Sequence, residues 1–173
     1  MNNIIEAMVT RRSCKSYRPD PVPEPLLDQV LLAGTYAANG MGKQSAKIVA
    51  LTRPEDIAEL EKMNAAILGS PQGHPFYGAP VVLVVLADPA VPTAVEDGSL
   101  VIGNLMLAAH ALGLGACWVH RARQEFDSPA GKALLKRWGV NESFLGIGHC
   151  LLGYPQGPDR PAAPRKADFV TKV

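Results

Sequence analysis

Seven consecutive apolar residues, Val81-Val82-Leu83-Val84-Val85-Leu86-Ala87, follow a stretch rich in Gly and Pro and leave no position suited to water. A run this short and this rich in β-branched residues reads as a strand buried on both faces, so it belongs at the centre of a sheet with layers on either side. Regular Gly and Pro punctuation divides the rest of the chain into periodic segments, with no internal repeat or low-complexity tract.

Asn3 to Thr10 reads as a short helix with Ile4, Ile5, Met8 and Val9 on one side. A second helix is expected from Pro25 to Ala38, with Leu26, Leu27, Val30 and Leu31 facing inward, and a strand over Lys47 to Thr52. Pro54 then opens a helix on which Ile57, Leu60, Asn64, Ile67 and Leu68 recur at helical spacing. Asp97 to Leu112 is a nearly all-apolar helix, and such a helix is a buried one. Ala116 to His120 reads as a strand, Ser128-Pro129 as the cap and first turn of a helix reaching Trp138 before Gly139, and Phe144 to Tyr154 as the last strand. A Pro-rich segment from Pro155 leads into an extended tail that has too little apolar material for a core of its own and suits another surface, such as a second subunit.

This order predicts an α+β fold forming one domain over residues 1–173. A doubly wound parallel sheet is the alternative, because alternation alone leaves strand directions open. Gly113 and Gly115 resemble a dinucleotide-binding fingerprint in spacing, but they end a helix instead of starting one and read as a helix cap.

Lys plus Arg number 17 and Asp plus Glu 16, for a net charge of +1, so anion binding must be local and a nucleic-acid or membrane partner is not expected. Cys14, Cys117 and Cys150 are odd in number and lie far apart, which argues against a disulfide framework or zinc module. The N-terminal residues do not resemble a signal peptide and no apolar run approaches a membrane span, which predicts a cytoplasmic protein.

The densest chemical signal is Arg11-Arg12-Ser13-Cys14-Lys15-Ser16-Tyr17-Arg18, four cations and two serine hydroxyls just after a short helix. Arg offers a planar fork of donors, Ser a short directional donor and Lys a point charge, which together suit a phosphate; a solvated basic turn has the same composition. Arg165-Lys166 is a second cationic pair, able to help neutralise a phosphomonoester if the tail returns to the first cluster. His74, His110, His120 and His149 show no metal-ligand spacing, and His110 reads as a satisfied core histidine. Cys14 has cationic neighbours but no identifiable partner base, and neither a serine elbow nor a P-loop is present.

Arg11-Arg12-Ser13-x-Lys15 resembles the signature of the FMN-dependent nitroreductase family. So do Ala38-Asn39-Gly40-Met41-Gly42-Lys43-Gln44, Phe76-Tyr77-Gly78-Ala79-Pro80, Gly113-Leu114-Gly115-Ala116-Cys117-Trp118-Val119, Leu152-Gly153-Tyr154-Pro155 and Pro164-Arg165-Lys166, in family order over nearly the whole chain. The resemblance implies a mainly antiparallel sheet flanked by helices, in an intertwined homodimer with an extended C-terminal arm and FMN at the subunit interface. Arg11, Ser13 and Arg165 would then hold the FMN phosphate, with Arg12 at the phosphate or ribityl chain and Lys166 as a second tail cation. Lys15 would lie near the N1 and O2 edge of the ring, where a fixed cation favours the reduced flavin. Asn39, Gly40 and Met41 would reach the ring from the partner, and the backbone of Trp118, Val119 and His120 would pass flavin N5. Asn64 would touch the pyrimidine edge, or else be an ordinary helix-surface amide.

The implied activity is ping-pong hydride transfer from NADH or NADPH through flavin N5 to a nitroaromatic, quinone or related electrophile, with no catalytic side chain beyond the tuning Lys15. A flavin-binding sensor or carrier with little turnover is the alternative. Gly42 stands where the family usually has Asn, and Ala38 and Ser45 replace prolines. Only the Ser70 to Pro80 loop lies where larger relatives insert helices over the active site, which implies an open site.

Overall fold

The computed structural model describes residues 2–158 and 161–173. Val81–Ala87 forms strand β2, buried along its whole length. It lies between β1 (Ala46–Leu51) and β4 (Leu145–Gly153), and β3 (Gly115–Val119) completes the sheet in the order β1-β2-β4-β3. All three ladders are antiparallel, so the architecture is α+β and the doubly wound parallel alternative is excluded.

The pleat sends alternate β2 side chains into two separate cores. Val82, Val84 and Leu86 pack with Leu60 of α3 (Pro54–Ile67), Phe126 of α5 (Ala122–Asp127) and Leu134 and Leu135 of α6 (Pro129–Arg137). Leu83, Val85 and Ala87 pack with Val30 of α2 (Glu24–Thr35) and with Ile102 and Leu105 of α4 (Ala94–Ala111). The helix ends follow local chemistry. Ser128 Oγ accepts from the Gly131 N–H at 3.0 Å to cap α6, and α4 ends with Gly113 at φ +76° and the Leu114 N–H on Ala109 O at 2.8 Å.

Several expectations change. Helix α5 has no counterpart in the sequence pattern, because six residues shortly after a strand are too few to display a period. Helix α4 begins at Ala94, before Asp97, whose buried carboxylate serves a distant loop. Ile67 and Leu68 keep helical spacing but are 39% and 49% exposed beyond the edge of the core. His110 is half-buried rather than part of the core, and its Nε2 meets Thr10 Oγ1 at 2.8 Å, tying α4 to α1 (Asn3–Thr10). None of the residues of α1 is buried, and Ile4, Ile5, Met8 and Val9 form an open apolar face. Among the described residues no helix is long and apolar enough to cross a membrane.

Candidate functional site

After α1 the chain turns alongside β3. Ser13 bridges Ala116 in parallel, and the Cys14 N–H donates to Ala116 O at 3.0 Å. This approach requires a glycine at position 115, where a Cβ would stand 2.7 Å from Cys14 Sγ. Further on, the Gln156 N–H donates to Ser16 O and the Arg18 N–H to Tyr154 O, both at 2.9 Å. A cleft of about 180 Å³ lies between Ser13–Ser16 and Pro155–Pro158.

Within this segment Arg11 carries a buried Nη1 that has no hydrogen-bond partner among the described residues. Buried donors are nearly always paired, so an orphaned guanidinium nitrogen calls for an anion. Arg12 serves the turn itself, its Nη1 donating to Val9 O and Arg11 O at 2.8 and 2.7 Å. Ser13 and Lys15 are exposed and free to reach the same ligand. Burial pushes the Cys117 thiol up, against the lowering influence of the Ser13 hydroxyl and the Lys15 and Arg11 charges. The cluster therefore fits a phosphomonoester such as that of FMN.

The cysteines are not part of this chemistry. Cys14 is 7% exposed and its thiol donates to Ser16 O at 3.2 Å, while burial pushes the Cys150 thiol up to about 12. Among the described residues no group of three or more His, Cys, Asp or Glu could hold a metal ion.

Beyond the Ser13–Ala116 bridge, the outer edge of β3 has no further strand pairing among the described residues, so the main-chain groups of Trp118 face outward, its carbonyl accepting the Cys117 thiol at 3.7 Å. Trp118 packs on the α4 side and His120 is exposed. Asn64 does not behave as a surface amide: it is 0% exposed, its Nδ2 donates to His120 O at 3.1 Å and its Oδ1 accepts from Arg121 Nε at 2.9 Å. Arg121 adopts φ +84°, unusual for a side-chain-bearing residue, and this conformation turns the chain from β3 into α5. Beneath the turn, Glu125 of α5 meets His149 of β4 through its Oε2 and the imidazole Nε2, both residues fully buried.

Asn39, Gly40 and Met41 lie elsewhere. They precede β1, whereas Arg11 to Lys15 accompany the start of β3, and the registers put these two points at opposite ends of the sheet and on opposite edges. No single chain brings the two groups together. Asp97 holds the loop, accepting from the Gly40 N–H at 2.9 Å, Ser45 Oγ at 2.6 Å and Thr93 Oγ1 at 3.2 Å. These bonds, Ser45 foremost, hold its carboxyl below the usual carboxylate range. Met41, at φ +52°, is left 79% exposed. Arg165 and Lys166 are exposed in the extended tail, where Arg165 Nη2 donates to Ala163 O at 2.9 Å; among the described residues no hydrogen bond or ion pair links this pair to the Arg11 cluster of its own chain.

Sequence reasoning missed Arg121, Asp97 and Tyr77 as residues that shape this region. A left-handed arginine has no sequence signature, and the link from Asp97 to Gly40 spans 57 positions. Tyr77 had a weak signal in the Gly that follows it.

The family model for the nitroreductase family matches residues 8–154. A protein of Methanothermobacter thermautotrophicus, provisionally named an NADH dehydrogenase/NAD(P)H nitroreductase, is 30% identical over 157 residues, covering 88% of this chain and 78% of that protein. Among solved structures, a Bacteroides fragilis nitroreductase with bound FMN superposes with a TM-score of 0.92 at 28% identity and covers both chains fully. An FMN-bound nitroreductase of Desulfitobacterium hafniense gives a TM-score of 0.89 at 25% identity, covering 100% of this chain and 99% of that one. With its antiparallel sheet and the basic segment lying along β3, the chain belongs to the nitroreductase family.

Proposed function

We propose that the protein is an FMN-dependent oxidoreductase that acts as a homodimer, takes electrons from NADH or NADPH and passes them to a nitroaromatic, quinone or related electrophile. The observation that carries this reading is the buried Arg11 Nη1, without a partner among the described residues, at the head of a segment whose Ser13 and Lys15 are exposed. FMN would supply hydride acceptance and donation at N5, which makes the reaction two half-reactions in ping-pong sequence.

The chain's own residues bind and orient. Arg11 and Ser13 donate to phosphate oxygens, with Arg165 and Lys166 of a second copy's tail adding charge, while Arg12 braces the turn and presents its remaining N–H groups to the phosphate or ribityl chain. Lys15 brings a positive charge to the ring's N1 and O2 edge and favours the reduced form. The open edge of β3 from Trp118 to His120 offers main-chain groups to the ring, and Asn64 fixes that edge by holding His120 O. Asn64 thus acts through the turn, since both ends of its amide are already engaged.

Assembly as a homodimer is supported by two features. The apolar face of α1 is open, as are Leu32 of α2, Tyr36 just after it and Leu100 of α4, and exposed apolar patches mark interaction surfaces. A second copy would also bring its Asn39, Gly40 and Met41 to the end of the sheet that one chain cannot reach. The test is the visible spectrum after FMN incubation and desalting, followed by anaerobic NADH or NADPH. Retained flavin that bleaches is the expected result. Retained flavin that does not bleach favours a sensor or carrier, and loss of flavin overturns the reading.

A further inference from the structure

The loop from Ser70 to Pro80 is anchored more firmly than its length suggests. Phe76 is 1% exposed, its ring lies 5.4 Å from that of His149, and its N–H donates to Glu61 Oε1 at 2.8 Å. Glu61 Oε2 also lies 3.5 Å from His74 Nδ1. Two overlapping turns follow, with the Tyr77 N–H on His74 O at 3.0 Å and the Ala79 N–H on Phe76 O at 2.9 Å. Between these fixed points Tyr77 adopts φ +54°, a conformation disfavoured for a bulky side chain, and its ring is left 36% exposed. The Lys15 ammonium stands over that ring, 5.8 Å from its centre. An aromatic face attracts a cation at this distance, and a left-handed tyrosine persists only where the surroundings over-determine it.

We infer that Tyr77 is a positioning residue that holds the Lys15 ammonium in place and, through it, sets how strongly the site favours the reduced cofactor. The inference rests on the FMN reading of the site. A lysine stem has four rotatable carbons, so an unrestrained ammonium on an exposed segment spreads its charge over many positions. The Tyr77 ring narrows that distribution without neutralising the charge, as a carboxylate would. The anchored loop therefore has a use in a chain with no helical insertion there: it supplies one aromatic face to the tuning cation.

The experiment measures the midpoint potential of bound FMN in Tyr77→Phe and Tyr77→Gly, each alone and combined with Lys15→Ala. Phe keeps the aromatic face, and Gly suits the left-handed backbone but removes the ring. Tyr77→Gly is expected to weaken binding of reduced relative to oxidised flavin about fivefold, a fall of about 20 mV for a two-electron couple. Tyr77→Phe is expected to retain the wild-type potential, and Tyr77→Gly to add nothing once Lys15 is absent. In the apoprotein, amine-reagent labelling of Lys15, read by peptide mass spectrometry, is expected to rise in Tyr77→Gly and not in Tyr77→Phe. A Tyr77→Gly potential equal to wild type, or an equal fall in the Lys15→Ala background, overturns the inference while leaving the FMN reading intact. Failure of the wild-type protein to bind FMN overturns both, and unchanged Lys15 labelling in Tyr77→Gly removes the restraint on the ammonium by itself.

Discussion

Replacing Arg11 should have opposite consequences for the empty and the FMN-loaded protein. In the apoprotein the buried Arg11 Nη1 has no acceptor, and an unsatisfied buried donor costs about 1–3 kcal/mol. Arg11→Ala removes that cost, so the apoprotein should lose little or no stability despite the lost packing of the side-chain stem. A charge-assisted hydrogen bond from the Arg11 guanidinium to the FMN phosphate would be worth about 1.5–3 kcal/mol, so the variant should bind FMN roughly 10- to 150-fold more weakly. At a fixed excess of FMN, stabilisation by the ligand falls by the same free energy. For a chain of 173 residues this amounts to about 3–12 °C less FMN-induced rise in Tm. Arg11→Lys keeps the charge but loses the planar fork and should fall between the two. Quenching of FMN fluorescence gives the affinity, and thermal unfolding with and without FMN gives the two stabilities. Unchanged FMN affinity would refute the phosphate assignment. A large fall in apoprotein Tm would show instead that Arg11 is a satisfied structural residue.

Three further outcomes follow from the geometry. Glu125→Ala or His149→Ala alone should cost about 3–5 kcal/mol in urea unfolding, because each strands a buried polar partner; a volume-keeping apolar pair, Glu125→Leu with His149→Phe, should be more stable than either single change, and equal losses in all three would contradict this. The carboxyl of Asp97 is held below its usual value of 3.8, so its stabilising contribution is complete above that pH and is lost as pH falls through the lower folded value; the Tm advantage of wild type over Asp97→Asn should be constant at neutral pH and shrink below about pH 4. A thiol reagent at pH 8 should modify none of the three cysteines in the native protein and all of them after denaturation, and rapid labelling of Cys14 in the native state would revive it as a reactive group.

How much of this was legible in the sequence depends on the range of the interaction. The all-apolar run at Val81–Ala87 announced a central strand because burial on both faces leaves a local composition. Ser128 and Gly113 announced helix ends because capping is settled within a few residues. The motif order carried the family, and the basic run carried donor types suited to a phosphate. Helix α5 left no trace, since a turn and a half has no period.

The tertiary structure decided what depends on the chain returning to itself. Hydrophobic pattern shows which side of a strand is buried but not which way its neighbour runs, so only the registers settled the antiparallel sheet. Asn64 shows the same limit: its spacing placed it on a helix, but its partners, His120 and Arg121, come from a turn more than fifty positions away. The orphaned nitrogen of Arg11, the restraint of Lys15 by Tyr77 and the separation of Asn39–Met41 from the basic cluster are likewise products of packing. The sequence determined which groups exist and what they can bind, because those properties belong to each side chain. The fold decided which groups meet and which are left without a partner, because desolvation and distance arise only when remote segments pack.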